Sequence, residues 1–173
     1  GGHLATHVAL TAGQPRYQPG FEDADTSVVA CIPVYGPTDF LDRLAIRGRS
    51  WRLAMMLAAR YVMPGPPTGE HAALWDDVSP ILAVTADAPP FLVIQGTHDV
   101  LVWREETRHF VSSLAEVSRQ PIVYWEVPGA QHAFDIFRSP RCLAAVEVVD
   151  RWLSWLAATG QLPATDVGRA LAQ

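Results

Sequence analysis

Two polar residues close two apolar runs in the second half of this sequence. Asp99 follows "FLVIQGTH", and His132 follows "IVYWEVPGAQ". If the runs are neighbouring strands of a parallel sheet, both residues stand at strand carboxyl ends, where open α/β sheets gather functional groups. A carboxylate there orients an imidazole and stabilises its cationic form, and the imidazole carries the proton. Each residue also has an ordinary reading. Asp99 suits a cap for the helix entered through "DVLVWREE", and His132 suits a solvated loop histidine. Their order at successive strand ends favours the chemical reading. Asp135 is too close to His132 in sequence to be its orienting partner. His98 neighbours the acid, His109 falls mid-helix, His3 and His7 fall on a first helix, and His71 falls in an insert. All five read as structural or solvated.

The elements that must position the pair follow from periodicity. Residues 3–11 predict a helix, with Leu4, Val8 and Thr11 beside Ala5, Ala9 and Ala12 on its small-to-apolar face and Gly13 closing it. "SVVACIPVYG" is β-branched and without alternation, which predicts a strand buried on both faces. Residues 38–80 form a helical insert. There "TDFLDRLAIRGRSWRLAMMLAARYVM" predicts one or two amphipathic helices with Thr38 or Asp39 as N-cap, broken by "PGPPTGE". "PPFLVIQGTHD" and "PIVYWEVPGAQH" predict two further strands. Between them "WREETRHFVSSLAEVS" predicts a helix with Phe110, Leu114 and Val117 on one face. Ser139 as N-cap and Pro140 at the first helical position open a terminal helix that Gly160 closes, with the last residues expected to fray. Strands alternating with helices predict an α/β fold with a mostly parallel sheet flanked by helices.

Composition narrows the classes. The chain has 173 residues, is 49% hydrophobic and carries a formal net charge of −5. That suits one globular domain over residues 1–173. Every basic side chain other than histidine is arginine, and the arginines are scattered, so no basic stripe for nucleic acid forms. No apolar run reaches the roughly 20 residues of a membrane span. Cys31 and Cys142 lack CxxC partners, and no HExxH spacing occurs, so no metal site is expected. Cys31 reads as a buried, inert thiol.

Several stretches in register resemble the carboxylesterases and lipases of the α/β-hydrolase fold, in particular the hormone-sensitive-lipase-like group and its actinobacterial branch. "GGHLA" at residues 1–5 resembles the end of the S-A-G-G-H-L-A form of the nucleophile elbow. "YGPTDF" after the strand and Ser79-Pro80-Ile81 resemble these enzymes too, and "APPFLVIQGTHDVLV" and "PGAQHAF" resemble their acid stretch and histidine loop. The match departs at the acid, where Asp99-Val100-Leu101-Val102 replaces the frequent D-P-L-x-D.

The resemblance implies the C-terminal portion of such a fold, beginning just after the nucleophilic serine. It implies hydrolysis of small acyl esters by a Ser-Asp-His triad, with Asp99 and His132 supplied here and the serine and oxyanion donors supplied upstream. By itself the chain is then expected to be inactive. A serine peptidase of the same fold and a non-catalytic binding protein are the alternative functions. The insert of residues 38–80 is expected to act as a cap over the pocket, and Phe134 to join the pocket wall. The expected partner is the preceding half of the fold, or a second copy through the edge left by "SVVACIPVY".

Overall fold

The computed structural model describes residues 1–161. Among these, helix α1 (Gly2–Thr11) is followed by α2 (Gly48–Tyr61), α3 (Ala72–Asp77), strand β1 (Phe91–Gly96), α4 (Arg104–Val117), strand β2 (Ile122–Val127) and α5 (Pro140–Ala158). β1 and β2 pair in parallel, from Phe91 opposite Ile122 to Gly96 opposite Val127. Every residue of β1 is buried, as a strand covered on both faces requires. Phe91 and Val93 enter one apolar cluster with Ala9 and Leu10 of α1 and with Phe110 and Leu114 of α4. Leu92 and Ile94 enter the opposite cluster with Val127 and with Trp152 and Leu156 of α5. The pleat of one six-residue strand thus joins two helical layers.

The segment expected as a third strand runs along β1 but is not a continuous strand. It makes two isolated parallel bridges, Cys31 to Phe91 and Val34 to Ile94. Cys31 N–H donates to Pro90 O and Tyr35 N–H donates to Ile94 O, both at 2.9 Å. Between them stands Pro33, which has no N–H to give, so the ladder is interrupted at its centre. Nor is the segment buried on both faces, since Val29 is 54% exposed.

Two helical expectations are corrected. In α1 the buried residues are Thr6, Ala9, Leu10 and Thr11, while Leu4 and Val8 are exposed. His3 and His7 set this roll, donating through Nε2 to the carbonyls of Val78 and Asp77 at 2.8 and 2.7 Å. Thr6 and Thr11 are tolerated inside because their hydroxyls donate to Gly2 O and His7 O in the same helix. In α4, Phe110 and Leu114 are buried as expected, but Val117 is exposed and Glu106 and Thr107 take the remaining inward positions. The terminal helix starts as predicted, with Ser139 Oγ accepting from Cys142 N–H at 3.1 Å. The expected fraying of the last residues lies outside the described residues.

Neither Thr38 nor Asp39 caps a helix. Residues 38–47 are held out of helix by two carboxylates that take the backbone donors. Asp39 accepts from the N–H groups of Leu41 and Arg43, and Asp42 from those of Ile46 and Arg47. Asp42 and Ala45 adopt positive φ. Thr38 and Asp39 instead meet α4, where Glu106 Oε1 accepts from their N–H groups at 2.6 and 2.9 Å. The other oxygen of Glu106 pairs with Arg47, whose guanidinium is covered by the Trp51 ring at 3.6 Å. This buried node ties the start of the insert to α4. Farther along, Trp75 is fully buried and donates to Gly65 O at 3.0 Å.

Candidate active site

The ends of β1 and β2 are stitched into one platform. Thr97 N–H donates to Val127 O at 3.1 Å, and Gly129 N–H donates to Thr97 Oγ1 at 2.9 Å. His98 N–H donates to Ala130 O at 2.9 Å. Gly96 permits this approach, because a Cβ there would stand 2.5 Å from Ala130 O. The loop after β2 is therefore drawn across the end of β1.

On that platform His132 donates through Nδ1 to Asp99 Oδ2 at 2.9 Å. The Asp99 side chain is fully buried, and that of His132 is 29% exposed. Asp99 does not cap α4, which starts at Arg104. Its Oδ1 accepts from the N–H groups of Leu101 and Val102 at 2.8 and 2.9 Å, which folds the loop around it. Its Oδ2 accepts a further bond from Gln95 Nε2 at 3.1 Å. Four donors converge on this carboxylate, so it acts as an acceptor and the shared proton sits on Nδ1. That leaves the Nε2 lone pair as the basic site of the imidazole, the tautomer that general-base work requires.

Sequence reasoning missed Gln95. It ends the apolar run "FLVIQ" and is fully buried. Its amide also donates to Val102 O at 2.9 Å, and its oxygen accepts from Thr107 Oγ1 at 3.2 Å. A polar residue inside a strand buried on both faces was the available signal. Tyr35 was missed as well. Its ring lies 4.4 Å from the His132 ring, centroid to centroid, and 6.0 Å from that of Phe134. Burial, and then Asp135, push the Tyr35 hydroxyl up to about 12, so it stays a donor. Phe134 itself packs against the Leu92 and Ile94 cluster. Asp135 does not orient the imidazole, since it accepts from Tyr35 Oη at 2.6 Å.

The remaining candidates stand apart from the pair. His98 and His109 are exposed, and His71 is half-buried in the insert. Cys31 is buried and free, its thiol pushed up to about 12 by desolvation, and Cys142 is also free. No group of three or more His, Cys, Asp or Glu side chains among the described residues is arranged to hold a metal ion.

The start of α1 lies close to this site. Gly2 and Gly36 meet backbone to backbone. A Cβ on Gly36 would stand 2.5 Å from Gly2 C, and one on Gly2 would stand 2.4 Å from Val34 O. Gly36 follows Tyr35, whose ring touches His132, so contacts run without a gap from the imidazole to the first turn of α1.

Known proteins resemble this chain in sequence and in architecture. The curated protein named "Probable carboxylic ester hydrolase LipM", from Mycobacterium tuberculosis, is 41% identical over 172 residues, which is 99% of this chain and 39% of that protein. Esterase LipC of the same organism is 39% identical over 142 residues, 82% of this chain and 34% of that protein. The chain thus spans under two fifths of the length of these relatives. Among solved structures, a thermophilic esterase of Thermogutta terrifontis, Est2 with bound propionate, superposes with a TM-score of 0.63 at 24% identity. The match covers 95% of this chain and 55% of that one. A bifunctional GH43-CE protein of Bacteroides eggerthii superposes with a TM-score of 0.61 over 87% of this chain and 20% of that one. The BD-FAE family profile matches residues 1–114. The chain belongs to the BD-FAE family and has the α/β-hydrolase fold.

Proposed function

We propose that this chain carries the acid and the base of a carboxylic ester hydrolase, with Asp99 orienting His132 and His132 moving the proton. The observation that carries the reading is the 2.9 Å bond from His132 Nδ1 to a buried Asp99 already fixed by three other donors. The relatives' names, a carboxylic ester hydrolase and an esterase, support the substrate class.

The nucleophile in this reading is a serine preceding Gly1 in a longer protein. The closeness of the first turn of α1 to His132 supports that entry point. The serine Oγ attacks the ester carbonyl while His132 Nε2 takes its proton. His132 then returns that proton to the departing alcohol, leaving an acyl-enzyme. Water next attacks the acyl carbon, giving a proton to Nε2, and the serine is regenerated as the acid leaves. Throughout, the Asp99 carboxylate stabilises the imidazolium and holds its orientation. The insert of residues 38–80 caps the pocket, and Phe134 contributes to its wall. The interrupted edge along residues 28–35 pairs with the preceding part of the fold, which removes an open strand edge.

The test is turnover of a p-nitrophenyl ester by the longer protein and by this chain. In the longer protein His132→Ala is expected to lower kcat about a millionfold, and this chain alone is expected to give no turnover. Undiminished turnover by the His132→Ala protein would remove the base from the reading. Turnover by the isolated chain that His132→Ala abolishes would remove the upstream serine.

A further inference from the structure

The bond to Asp99 fixes one nitrogen of His132 but leaves the ring free to turn about the Nδ1···Oδ2 line. A base misaimed by rotation loses reach to its proton as surely as one displaced. Something else must therefore hold the plane of the imidazole. Tyr35 stands where that work is done. Its ring lies against the imidazole with centroids 4.4 Å apart and planes inclined by 50°. Its hydroxyl donates at 2.6 Å to Asp135 Oδ1, farther along the histidine loop.

The backbone around these contacts is unusual. Tyr35 has φ 42° and Ala133, directly after His132, has φ 63°. Left-handed conformations at residues other than glycine persist where surrounding contacts over-determine them. Here the contacts are visible. Tyr35 N–H donates to Ile94 O at 2.9 Å, and Gly36 is pressed against Gly2. Tyr35 is thus anchored on the sheet side and reaches over to the loop. Two carboxylates meet this pair of rings, Asp99 at the imidazole and Asp135 at the Tyr35 hydroxyl.

We propose that Tyr35 is a positioning residue for His132, its ring fixing the plane of the imidazole and its hydroxyl bond to Asp135 holding the histidine loop in place. This rests on the reading of His132 as the base. It adds a second support, independent of Asp99, for the direction in which Nε2 points.

The test reads the His132 Nδ1 proton directly, in this chain labelled with 15N-histidine, as its rate of exchange with water. Asp135→Ala, which removes only the acceptor of the hydroxyl bond, is expected to speed exchange about fivefold. Tyr35→Ala also removes the ring contact and is expected to speed it about tenfold or more. Tyr35→Phe restores the ring and should return exchange to the Asp135→Ala rate. Exchange in Tyr35→Ala and Asp135→Ala equal to that of the unmodified chain overturns the proposal. If Tyr35→Ala fails to fold by circular dichroism, Asp135→Ala decides, because that side chain is exposed. Asp99→Asn separates the two ideas. If it leaves the Nδ1 resonance unmoved, the reading of the Asp99 and His132 pair falls. If it shifts the resonance while the Tyr35 and Asp135 variants do nothing, only the role of Tyr35 falls.

Discussion

Gln95 Nε2 stands 3.1 Å from Asp99 Oδ2, inside a strand whose every residue is buried. The amide reaches from β1 under the loop that follows, and also secures Val102 O. The carboxylate that meets His132 is therefore fixed from below by the sheet and from the side by its own loop. This two-sided support sets how much its loss should cost.

Gln95→Leu keeps the side-chain bulk and removes both bonds while leaving the Thr107 hydroxyl without its acceptor. Orphaned buried polar groups cost about 1–3 kcal/mol each, so a loss in that range or above is expected. Urea unfolding measures it. An unchanged midpoint would mean that Gln95 does not support the carboxylate.

Glu106 is the next test, because it is 3% exposed and faces an Arg47 that is 2% exposed. Glu106→Ala removes the acceptor of the Thr38 and Asp39 N–H groups and one of the carboxylates that face Arg47, beside Asp39 and Asp42. Breaking one side of a buried pair costs about 3–5 kcal/mol. Glu106→Gln keeps an acceptor oxygen and should cost less. Denaturant midpoints that rank the two variants in the opposite order would contradict the role of Glu106 as anchor of the insert.

Gly36→Ala addresses the approach of α1 to the site. The new methyl group would press on the backbone of Gly2 and His3, which has no flexible end to yield. Overpacking of this kind costs about 1–3 kcal/mol. For a chain of this size that lowers Tm by about 2–4 °C per kcal/mol. A melting curve superposable on that of the unmodified chain would show that α1 can shift without penalty.

His3 makes stability depend on pH. Burial lowers its pKa below the ordinary 6.5, against the raising effect of its bond to Val78 O, with His7 lowering it further. The unfolded chain therefore binds this proton more readily than the folded one. The contribution of His3 to stability is complete above pH 6.5 and is lost as pH falls through the folded value. His3→Gln keeps an N–H donor without the titration. Its urea midpoint should fall less steeply with acidification below pH 6.5 than that of the unmodified chain, and parallel slopes would rule the effect out.

Much of this was legible along the chain because it depends on local pattern. The apolar runs ending at Gly96 and Val127 are strands, and Ser139 with Pro140 opens α5 where capping chemistry places it. The placement of Asp99 and His132 at successive strand ends needed only that pattern and the geometry of parallel sheets. The failures share one cause, which is competition from side chains and neighbours. Asp39 and Asp42 take backbone donors that a helix over residues 38–47 would have used. Pro33 has the apolar character of its strand-like run but withholds the N–H that would have joined two bridges.

By itself, then, the sequence determined much of the alternation of strand and helix, the fully apolar character of β1, and the chain order that sets Asp99 and His132 at successive strand ends. Those follow from periodicity and chain order. Only the tertiary structure decided what holds the pair in place. Tyr35 against the imidazole and Glu106 at the root of the insert act across long separations in sequence, and Gln95, though only four residues before Asp99, reaches it because the loop after β1 folds back over the strand end. Such polar contacts have no period and no motif, and they exist only once packing has brought their elements together.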